Sequence, residues 1–367
     1  MKKILIVSSV SRQFYLFEQG NIEVLKSLGY EIHAAANFND ANERLDTLDI
    51  IRHHFDIERS PFSYKNLKAY GQLKNILKSE KFDAIHCHSP IGGVLARLAA
   101  KAVGNCPVLY TAHGFHFYKG ASLVNWAMFY PVEKLLARHT DHLITINKED
   151  FNNANKFKAG QIHYVPGIGV STKLFNENAV SREMKREELG ISENTMVLLS
   201  IGELIKRKNH ETLIRALLKV KKKNFVLLIC GRGVLESYLK ELTISLGIQE
   251  KVRFLGFRND IKEICVASDI FVFPSYQEGL PVSVMEAMSA GLPVIASEIR
   301  GNIDLIQNGI GGYLLNPDDI DGFANSIQIL IEDAKLRKVM SVKNKDEVKR
   351  YDISKVKARM IEIYSSL

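Results

Sequence analysis

Short apolar runs alternate with longer helix-like segments along nearly the whole chain, and this alternation constrains the fold most. In the first half, the predicted strands are 4–8, 31–36, 84–88, 108–112, 142–146 and 162–165. The helix-like segments between them are 17–28, 64–79, 92–103, 124–137 and 148–157. Such alternation is typical of βαβ units, in which helices connect parallel strands. The first half therefore predicts one doubly wound parallel sheet.

A second series of the same kind follows a loop-like stretch, PGIGVSTKLFNENAV, in which we expect the domain boundary. Its predicted strands are 196–201, 225–230, 252–255, 270–273, 294–296 and 312–315. We therefore predict an α/β protein with two doubly wound Rossmann-like domains, residues 1–170 and 171–350, and a final helix in 351–367. Ligands of open α/β sheets bind at the carboxyl ends of the strands, so a central cleft faced by both domains is the expected site.

Composition indicates a soluble globular protein, with 46% hydrophobic and 25% charged residues among 367. No apolar stretch approaches the ~20 residues that span a bilayer, so we expect a cytoplasmic protein. The cysteines form no CxxC pair, and we expect reduced thiols. Residues 1–175 hold 21 basic and 15 acidic residues. That excess is compatible with a phospholipid surface or a lipid diphosphate, or simply with a solvated basic surface.

The stretch FVFPSYQEGLPVSVMEAMSAGLPVIAS, residues 271–297, predicts a strand, a polar loop, a helix and a second strand. Pro281 suits the first helical position, and the helix N-terminus offers N–H groups to a phosphate. Glu278 in the loop and Glu286 about two turns into the helix can face the same ligand. Carboxylates accept hydrogen bonds from hydroxyls, so a nucleotide sugar would satisfy the unit. The alternative is that both are solvated surface carboxylates.

Glu278, seven intervening residues and Glu286 resemble the signature of the family 4 retaining glycosyltransferases. This resemblance implies the two-domain glycosyltransferase-B fold, a nucleoside diphosphate sugar donor and retention of anomeric configuration. It also implies that Glu278 binds the donor sugar and Glu286 the ribose, with Gly279, Leu280 and Ser283 in the same donor site. In that fold the last helix crosses back to the first domain, a role that we assign to residues 351–367.

The stretch SIGELIKRKNHETLIRAL clusters Arg207 and Lys208 at a strand-to-helix turn, where basic groups suit a diphosphate. In the family this loop reads Gly-Arg-Leu, followed by a Lys just before the helix. Here Glu203 replaces the usual Arg, whereas Lys208 keeps the Lys position. We expect Arg207 to substitute for the missing diphosphate contact.

Three further segments of the second half carry weaker signals. Gly231 and Gly233 form an incomplete dinucleotide fingerprint, and tight-turn glycines are the favoured interpretation. The segment FLGFRND resembles the family segment that holds the nucleotide base, which nominates Phe257 and Arg258. Arg300, in SEIRGNIDLI, stands where family members line the cleft, although it could also be a surface cation.

Histidines are concentrated in the first half, and four of them raise the question of a zinc site. His86 and His88 lie two residues apart and therefore on one face of a predicted strand, and His113 and His116 follow the next predicted strand. No carboxylate or cysteine spacing completes a ligand set, so we expect no metal, and we interpret His86 and His88 as packing or cleft-lining residues.

The segment YTAHGFHFYKG resembles bacterial family members that build capsule and exopolysaccharide repeat units, where a histidine at the position of His113 contacts the donor sugar. An imidazole can donate to a sugar hydroxyl and help to stabilise charge near the anomeric carbon. A structural histidine is the alternative. We assign His116 and Arg12 to the acceptor side of the cleft, together with Arg300.

The segment GASLVNWAMFYPVEKLLARH mixes aromatic and aliphatic residues with Lys119, Lys134 and Arg138. Such a basic amphipathic stretch can lie on an anionic membrane surface. We favour an ordinary helix that faces the core.

Together these features predict a retaining, metal-independent glycosyltransferase that catalyses with His113, Glu278 and Lys208 and needs no cofactor. Its donor is expected to be a UDP-sugar, and its acceptor a polyprenyl-diphosphate-linked saccharide in capsule or exopolysaccharide assembly. Contact with the inner face of the cell membrane is possible under this hypothesis, and no nucleic acid is expected. Two alternatives stay open: a nucleotide-sugar epimerase of the same architecture, and a non-catalytic nucleotide-binding component of an assembly complex.

Overall fold

The chain forms two compact units. The computed structural model describes residues 1–40, 43–88, 90–104, 106–176, 181–222 and 224–367. The first unit contains Met1–Ile168 and Ile353–Leu367, and the second contains Gly169–Asp352. Each junction lies two residues from the boundary that the sequence predicts.

The first unit is built on a seven-stranded parallel sheet in the order β3-β2-β1-β4-β5-β6-β7. Its strands are β1 Lys2–Val7, β2 Tyr30–Ala36, β3 Ile51–His54, β4 Ala84–His88, β5 Val108–Ala112, β6 His142–Thr145 and β7 Gln161–Tyr164. The sequence analysis missed β3. This edge strand reads IRHH and is largely exposed, so it lacks the apolar run that identifies the other strands.

Helices cover both faces of this sheet. They are α1 Arg12–Phe17, α2 Gln19–Ser27, α3 Lys65–Ser79, α4 Ile91–Val103, α5 Leu123–Leu136 and α6 Lys148–Ala154. The helix predicted at 17–28 therefore begins earlier and is interrupted at Glu18, whose buried side chain lies between α1 and α2. The sequence analysis did not predict a buried carboxylate at this break.

The second unit is built on a six-stranded parallel sheet in the order β10-β9-β8-β11-β12-β13. Its strands are β8 Met196–Ile201, β9 Phe225–Cys230, β10 Val252–Gly256, β11 Ile270–Phe273, β12 Val294–Ser297 and β13 Gly312–Leu315. The order reverses between β8 and β11. Ligands of doubly wound sheets bind at such a reversal, and the loops after these two strands carry the candidate residues.

The helices of the second unit enclose a core of Leu, Ile, Val and Phe side chains. They are α7 Thr172–Asn176, α8 Arg182–Glu188, α9 His210–Leu217, α10 Glu236–Ser245, α11 Ile261–Ala267, α12 Val282–Ser289, α13 Asn302–Leu305, α14 Ile320–Glu332 and α15 Ala334–Glu347. In the part of the chain that the structure describes, no helix has both the length and the apolar character that a membrane span requires.

The last helix, α16 Ile353–Ser365, belongs to the first unit. It packs on α2, and its apolar face buries Val356, Met360, Ile363 and Tyr364 in the core beneath β1 and β2. The spacing of these four residues is that of one helical face. The chain thus returns to its first unit after completing the second.

All four cysteines are free thiols, as the widely spaced sequence positions predict. Burial raises the pKa of Cys230 to about 12 and that of Cys106 to about 11. These thiols therefore stay protonated and unreactive near neutral pH.

Candidate functional site

The loop after β11 brings Glu278 against two cations. Its Oε1 accepts hydrogen bonds from Arg207 Nη1 at 3.0 Å and from Lys208 Nζ at 2.8 Å. The Glu278 side chain is 8% exposed, so it is not the solvated loop residue of the alternative interpretation. Arg207 also donates to the Gln277 carbonyl at 2.7 Å. The loop after β8 and the loop after β11 are therefore held together by the residues that the sequence nominated.

Asn209, which the sequence analysis did not single out, fixes this arrangement. Its φ of 53° is left-handed, which asparagine tolerates better than most residues. Its Nδ2 donates to the Pro274 carbonyl at 3.1 Å and the Pro317 carbonyl at 2.9 Å, and its Oδ1 accepts from Thr212. These bonds set the direction in which Lys208 leaves the turn. The sequence signal was an asparagine directly before a helix.

Arg300 joins the same cluster from the loop after β12. Its side chain is buried, and Nε donates to the Glu278 carbonyl at 3.1 Å, so the surface-cation alternative is wrong. The next residue, Gly301, has a φ of 82°, and a Cβ there would lie 2.4 Å from the Gly279 carbonyl oxygen. Glycine is required because the two loops approach each other backbone to backbone.

We call Arg207, Lys208, Glu278 and Arg300 the Glu278 cluster. It contains three cations and one carboxylate, so it carries an excess of two positive charges. Lys208 Nζ also lies 4.6 Å from the centroid of the Phe273 ring. Partly buried positive charge of this size suits a dianion such as the diphosphate of a nucleotide sugar.

Helix α12 follows this loop and carries the second predicted carboxylate. Pro281 is the cap residue before the helix, with φ −76° and ψ 121°, and not its first helical residue as predicted. Leu280 is buried, and Ser283 lies in the first turn. Burial raises the pKa of Glu286 to about 7. The Glu286 side chain is half-buried. Among the described residues, none forms a hydrogen bond with its carboxyl group.

The segment nominated for the nucleotide base lies after β10. The Phe257 side chain is 56% exposed. Arg258 pairs with Asp260, through Nε at 2.7 Å, and with Glu188, through Nη2 at 3.3 Å. Within the described residues, no hydrogen bond or ion pair joins Arg258 to the Glu278 cluster. Its role in base binding stays a prediction.

At Gly231 and Gly233, the backbone after β9 packs directly against the backbone after β8. A Cβ at Gly231 would lie 1.9 Å from the Gly202 carbonyl oxygen, and one at Gly233 would lie 2.4 Å from that of Leu204. The turn that precedes Lys208 therefore rests directly on the loop after β9. This agrees with the interpretation as turn glycines.

In the first unit, His86, His88 and His113 come together at the ends of β4 and β5, and we call them the histidine cluster. The His86 and His88 rings lie 4.4 Å apart, and His88 Nδ1 is 2.9 Å from His113 Nε2. His86 bonds Tyr364 of α16 and Thr111 of β5, both at 2.8 Å. Burial lowers the pKa of each of the three imidazoles. His86 is thus a packing residue.

A metal ion could in principle use Glu18, His86 and His88, whose ligand atoms lie within 4.8 Å of one another. This set differs from the one that the sequence suggested, because Glu18 replaces His113 and His116. Both His86 nitrogens already bond hydroxyl groups. His88 retains only one nitrogen for a ligand role. Two available ligands are fewer than the three or four that zinc sites use.

Arg12 and His116 are the remaining first-unit candidates. Arg12 is exposed at the start of α1. His116 stacks on Phe129 of α5, with ring centroids 4.6 Å apart. Their assignment to the acceptor stays a prediction.

A cavity of about 520 Å³ opens at the carboxyl ends of β1, β2 and β3. Its lining includes Ser9, Val10, Asn37, Asp40, Glu58 and Arg59. The sequence analysis missed it because β3 itself was missed. Amide, carboxylate and guanidinium groups at one sheet edge suit a hydroxyl-rich ligand.

Helix α5 has two different apolar faces. Trp126, Phe129 and Tyr130 pack against the core, as the favoured interpretation predicts. Leu123 and Leu135 lie on the outside and are 87% and 58% exposed. The helix therefore faces the core and also presents apolar side chains to its surroundings.

Comparison with known proteins gives the same picture. The family described as "Glycosyl transferases group 1" matches residues 181–347, and "Glycosyl transferase 4-like" matches residues 3–147. The crystal structure of Anabaena Alr3699/HepE in complex with UDP and glucose covers 100% of both chains with a TM-score of 0.83 and 22% identity. This similarity establishes the glycosyltransferase-B fold.

Two curated relatives are similar over much of their length. EpsD of Bacillus subtilis (strain 168), itself provisionally named a glycosyltransferase, is 37% identical over 100% of this chain and 97% of its own. The Escherichia coli UDP-Gal:alpha-D-GlcNAc-diphosphoundecaprenol alpha-1,3-galactosyltransferase is 33% identical over 76% of this chain and 73% of its own. With its two family matches, its fold and its Glu278 cluster, this chain belongs to the group 1 glycosyltransferases.

Proposed function

We propose that the protein is a retaining glycosyltransferase that transfers a sugar from a UDP-sugar to a polyprenyl-diphosphate-linked saccharide. The product would serve capsule or exopolysaccharide assembly at the inner face of the cell membrane. The E. coli relative is named for a UDP-Gal donor and a diphosphoundecaprenol acceptor, and the HepE structure contains UDP. Retention rests on the resemblance of Glu278 and Glu286 to the signature of the retaining family.

The observation that carries this proposal is the charge of the Glu278 cluster. Arg207 and Lys208 bond the Glu278 carboxylate and Arg300 bonds the Glu278 backbone carbonyl, and Lys208 and Arg300 are largely buried. A diphosphate diester brings two negative charges, which balance the excess. The sugar ring would then lie beside Glu278, whose second oxygen can accept hydrogen bonds from hydroxyl groups.

Each residue has a distinct role in this proposal. Lys208 and Arg207 stabilise the diphosphate leaving group as charge develops on it, without a metal ion. Glu278, with the loop and helix N-terminus at Gly279, Leu280 and Ser283, holds the donor. Glu286 has an unpartnered carboxyl that suits the two ribose hydroxyls. The leaving phosphate takes the proton of the acceptor hydroxyl as the new glycosidic bond forms on the same face.

The first unit is proposed to bind the acceptor and to assist the reaction. His113 contacts the donor sugar and stabilises charge near the anomeric carbon. The cavity near Asp40 and Arg59, together with Arg12 and His116, provides polar groups for a saccharide. Arg300 would complete the acceptor side.

The lipid-linked acceptor would require contact with a membrane, for which the outer face of α5 is the candidate. Exposed Leu123, Val124 and Leu135 are accompanied by Lys134 and Arg138, a combination that binds anionic lipid surfaces. We expect sedimentation with vesicles that contain anionic phospholipid, and less with neutral vesicles.

Replacing Leu123 and Leu135 by Ser should reduce this sedimentation severalfold. The control is Val234→Ser, which removes an 88% exposed apolar side chain from the second unit. Equal binding by both variants would contradict the assignment to α5.

The first experiment is a panel of UDP-, GDP- and ADP-sugars, assayed by thermal stabilisation and slow hydrolysis with and without EDTA. We expect one UDP-sugar to stabilise the protein and to be hydrolysed equally in both conditions. Nuclear magnetic resonance of the transfer product then reports anomeric configuration. Interconversion of the donor without an acceptor would instead support an epimerase, and binding without turnover would support a non-catalytic component.

Matched lysine variants test the diphosphate site. Lys208→Met should weaken donor binding by on the order of tenfold or more, because it removes a charge-assisted contact. Lys206→Met removes an exposed lysine two residues earlier in the same turn. If both variants bind the donor equally well, the Glu278 cluster is not the diphosphate site.

A further inference from the structure

The His113 ring is approached at one nitrogen by two neighbours. Gln13 Nε2 lies 3.3 Å from His113 Nε2, and His88 Nδ1 lies 2.9 Å from the same atom. Gln13 belongs to α1 and His88 to β4, so two different elements converge on this nitrogen. An amide nitrogen can only donate a hydrogen bond.

The contact between Gln13 and Glu18 determines which atom donates in the bond between Gln13 and His113. Gln13 Nε2 also donates to Glu18 Oε1 at 3.1 Å, which fixes its amide with the nitrogen toward both Glu18 and His113. His113 Nε2 must therefore accept. Its single lone pair faces both donors, of which His88 Nδ1 is the closer, so His88 carries its proton on Nδ1 and His113 carries its own on Nδ1.

The other nitrogen of His88 points back at Glu18. His88 Nε2 is buried without a hydrogen-bond partner among the described residues, and it lies 3.4 Å from Glu18 Oε2. Asn21 Nδ2 donates to the same carboxylate oxygen at 2.7 Å. This contact is longer than a hydrogen bond, so it places the Glu18 carboxylate against the edge of the His88 ring but does not itself set the His88 tautomer.

We propose that Glu18 is a positioning residue that holds His113 in its Nδ1–H tautomer through Gln13, whose amide it orients toward His113 Nε2. The proposal rests on the function proposed above in one respect, namely that His113 acts on the donor sugar. Glu18 closes the gap between α1 and α2, which explains why a carboxylate is buried at that helix break. A fixed tautomer determines which atom of His113 can donate to a sugar hydroxyl.

The other groups around His88 do not supply this control. His86 stacks on His88 and uses both of its nitrogens for the hydroxyls of Tyr364 and Thr111. Tyr364 and Thr111 therefore act on His86. Among the described residues, Glu18 is the carboxylate that approaches His88, with Oε2 3.4 Å from Nε2.

The same sheet offers an internal control of similar chemistry. Glu31 Oε1 lies 2.8 Å from His33 Nε2, and His33 Nδ1 lies 2.8 Å from His53 Nε2. This second carboxylate and histidine pair joins β2 and β3, away from the histidine cluster. Replacing Glu31 removes the same kind of bond without touching His113.

Nitrogen-15 nuclear magnetic resonance of the histidine side chains tests the tautomer directly and needs no substrate. We expect a protonated Nδ1 and a bare Nε2 on His113 in the wild-type protein. Glu18→Leu should release His113 to a mixture with the Nε2–H form, and Glu31→Leu should leave it unchanged. A wild-type His113 protonated on Nε2 would overturn the proposal. So would stoichiometric zinc bound between Glu18 and His88, measured by metal analysis of the purified protein.

Steady-state kinetics with the identified donor then measures the consequence. Glu18→Leu should lower kcat by on the order of 10- to 100-fold, as loss of a group that orients a functional imidazole often does, with donor KM changed less than threefold. Glu18→Gln should restore most of the activity, because its amide oxygen can still accept from Gln13 Nε2. His88→Asn keeps a donor toward His113 and should also be active.

Failure of this inference is distinct from failure of the proposed function. Normal sugar transfer by His113→Ala would overturn the role of His113, while the spectrum would still report whether Glu18 fixes its tautomer. Loss of transfer in His113→Ala with an unchanged spectrum in Glu18→Leu would overturn the positioning role of Glu18 alone.

Discussion

The single carboxylate of Glu278 neutralises only part of the positive charge of Arg207, Lys208 and Arg300. Substitutions of Glu278 and of these cations should therefore have different effects. Its Oε1 bridges Arg207 and Lys208, while its backbone carbonyl holds Arg300. Under the proposed function, removing the carboxylate charge should leave the cations available to a diphosphate but remove the acceptor proposed for the sugar hydroxyls.

We therefore expect Glu278→Gln to lower sugar transfer by on the order of 100-fold. UDP affinity should change by less than about threefold, since the cations remain. Calorimetry with UDP and a transfer assay measure the two effects separately. Glu250→Gln, an exposed carboxylate of the same unit, is the control. A parallel loss of UDP affinity and transfer would contradict the separation of roles.

Glu286 should make the stability of the second unit depend on pH. Burial raises its folded pKa to about 7 from 4.5, so between these values the folded protein holds a proton that the unfolded chain releases. The free energy of unfolding therefore falls as pH rises from about 4.5 to 7. Glu286→Gln should be more stable than wild type above pH 7, by on the order of 1–3 kcal/mol.

The measurement is thermal or urea unfolding of both proteins at pH 4.5, 6 and 8. Near pH 4.5 the two curves should nearly coincide, because the carboxyl is protonated in the folded state and half-protonated in the unfolded one. Exposed Glu241→Gln should show no such divergence. Equal stability of Glu286→Gln and wild type at pH 8 would refute the burial argument.

At the scale of elements, the site depends on loops that touch through their backbones. The loop after β12 reaches the loop after β11 at Gly301, where no room exists for a side chain. Hydrophobic periodicity located the strands and helices on either side of these loops. It could not reveal the contact, because strand pairing determines which loops become neighbours.

Gly301→Ala should therefore disturb donor binding and stability together. Left-handed backbone costs about 1–2 kcal/mol for a non-glycine residue, and the clash with the Gly279 carbonyl adds to it. The matched control is Gly309→Ala, which has a φ of 77° but nothing within 4 Å of the new Cβ. We expect the control to lose stability alone, and Gly301→Ala also to lose at least about tenfold in UDP-sugar affinity. Equal affinity in the two variants would show that the contact does not shape the site.

At the scale of the whole chain, α16 completes the first unit after the second has been traversed. Tyr364 reaches from α16 to His86 in the centre of the first sheet. Residues far apart in sequence therefore share one core, and the stability of the first unit depends on the end of the chain.

Tyr364→Phe should destabilise the first unit by about 1–3 kcal/mol, because it leaves the buried Nδ1 of His86 without its partner. Trp126 is the single tryptophan and lies in the first unit, so its fluorescence in urea reports that unit. Tyr64→Phe, which removes the hydroxyl of an 80% exposed tyrosine in the same unit, should change little. A similar effect of both variants would argue against a stabilising role for the Tyr364 bond.

Sequence reasoning predicted the two parallel sheets, the place where the chain passes between units, and the loop and helix that carry Glu278 and Glu286. These features follow from local rules: burial alternates with the period of each element, and Glu278 and Glu286 are close in sequence. It failed where apolar character is low, as in β3, and where a polar residue interrupts a helix, as at Glu18. Local pattern also placed Pro281 inside its helix, although it is the cap.

Which distant side chains meet follows from the folded arrangement of the strands and cannot be read from the sequence. Arg207, Glu278 and Arg300 lie on three loops, and their convergence follows from the order of β8, β11 and β12 in the sheet. The path from Glu18 to His113 likewise needs α1, β4 and β5 side by side. Sequence specifies each element through local burial and turn chemistry, whereas contacts between loops depend on strand order, which no local pattern contains.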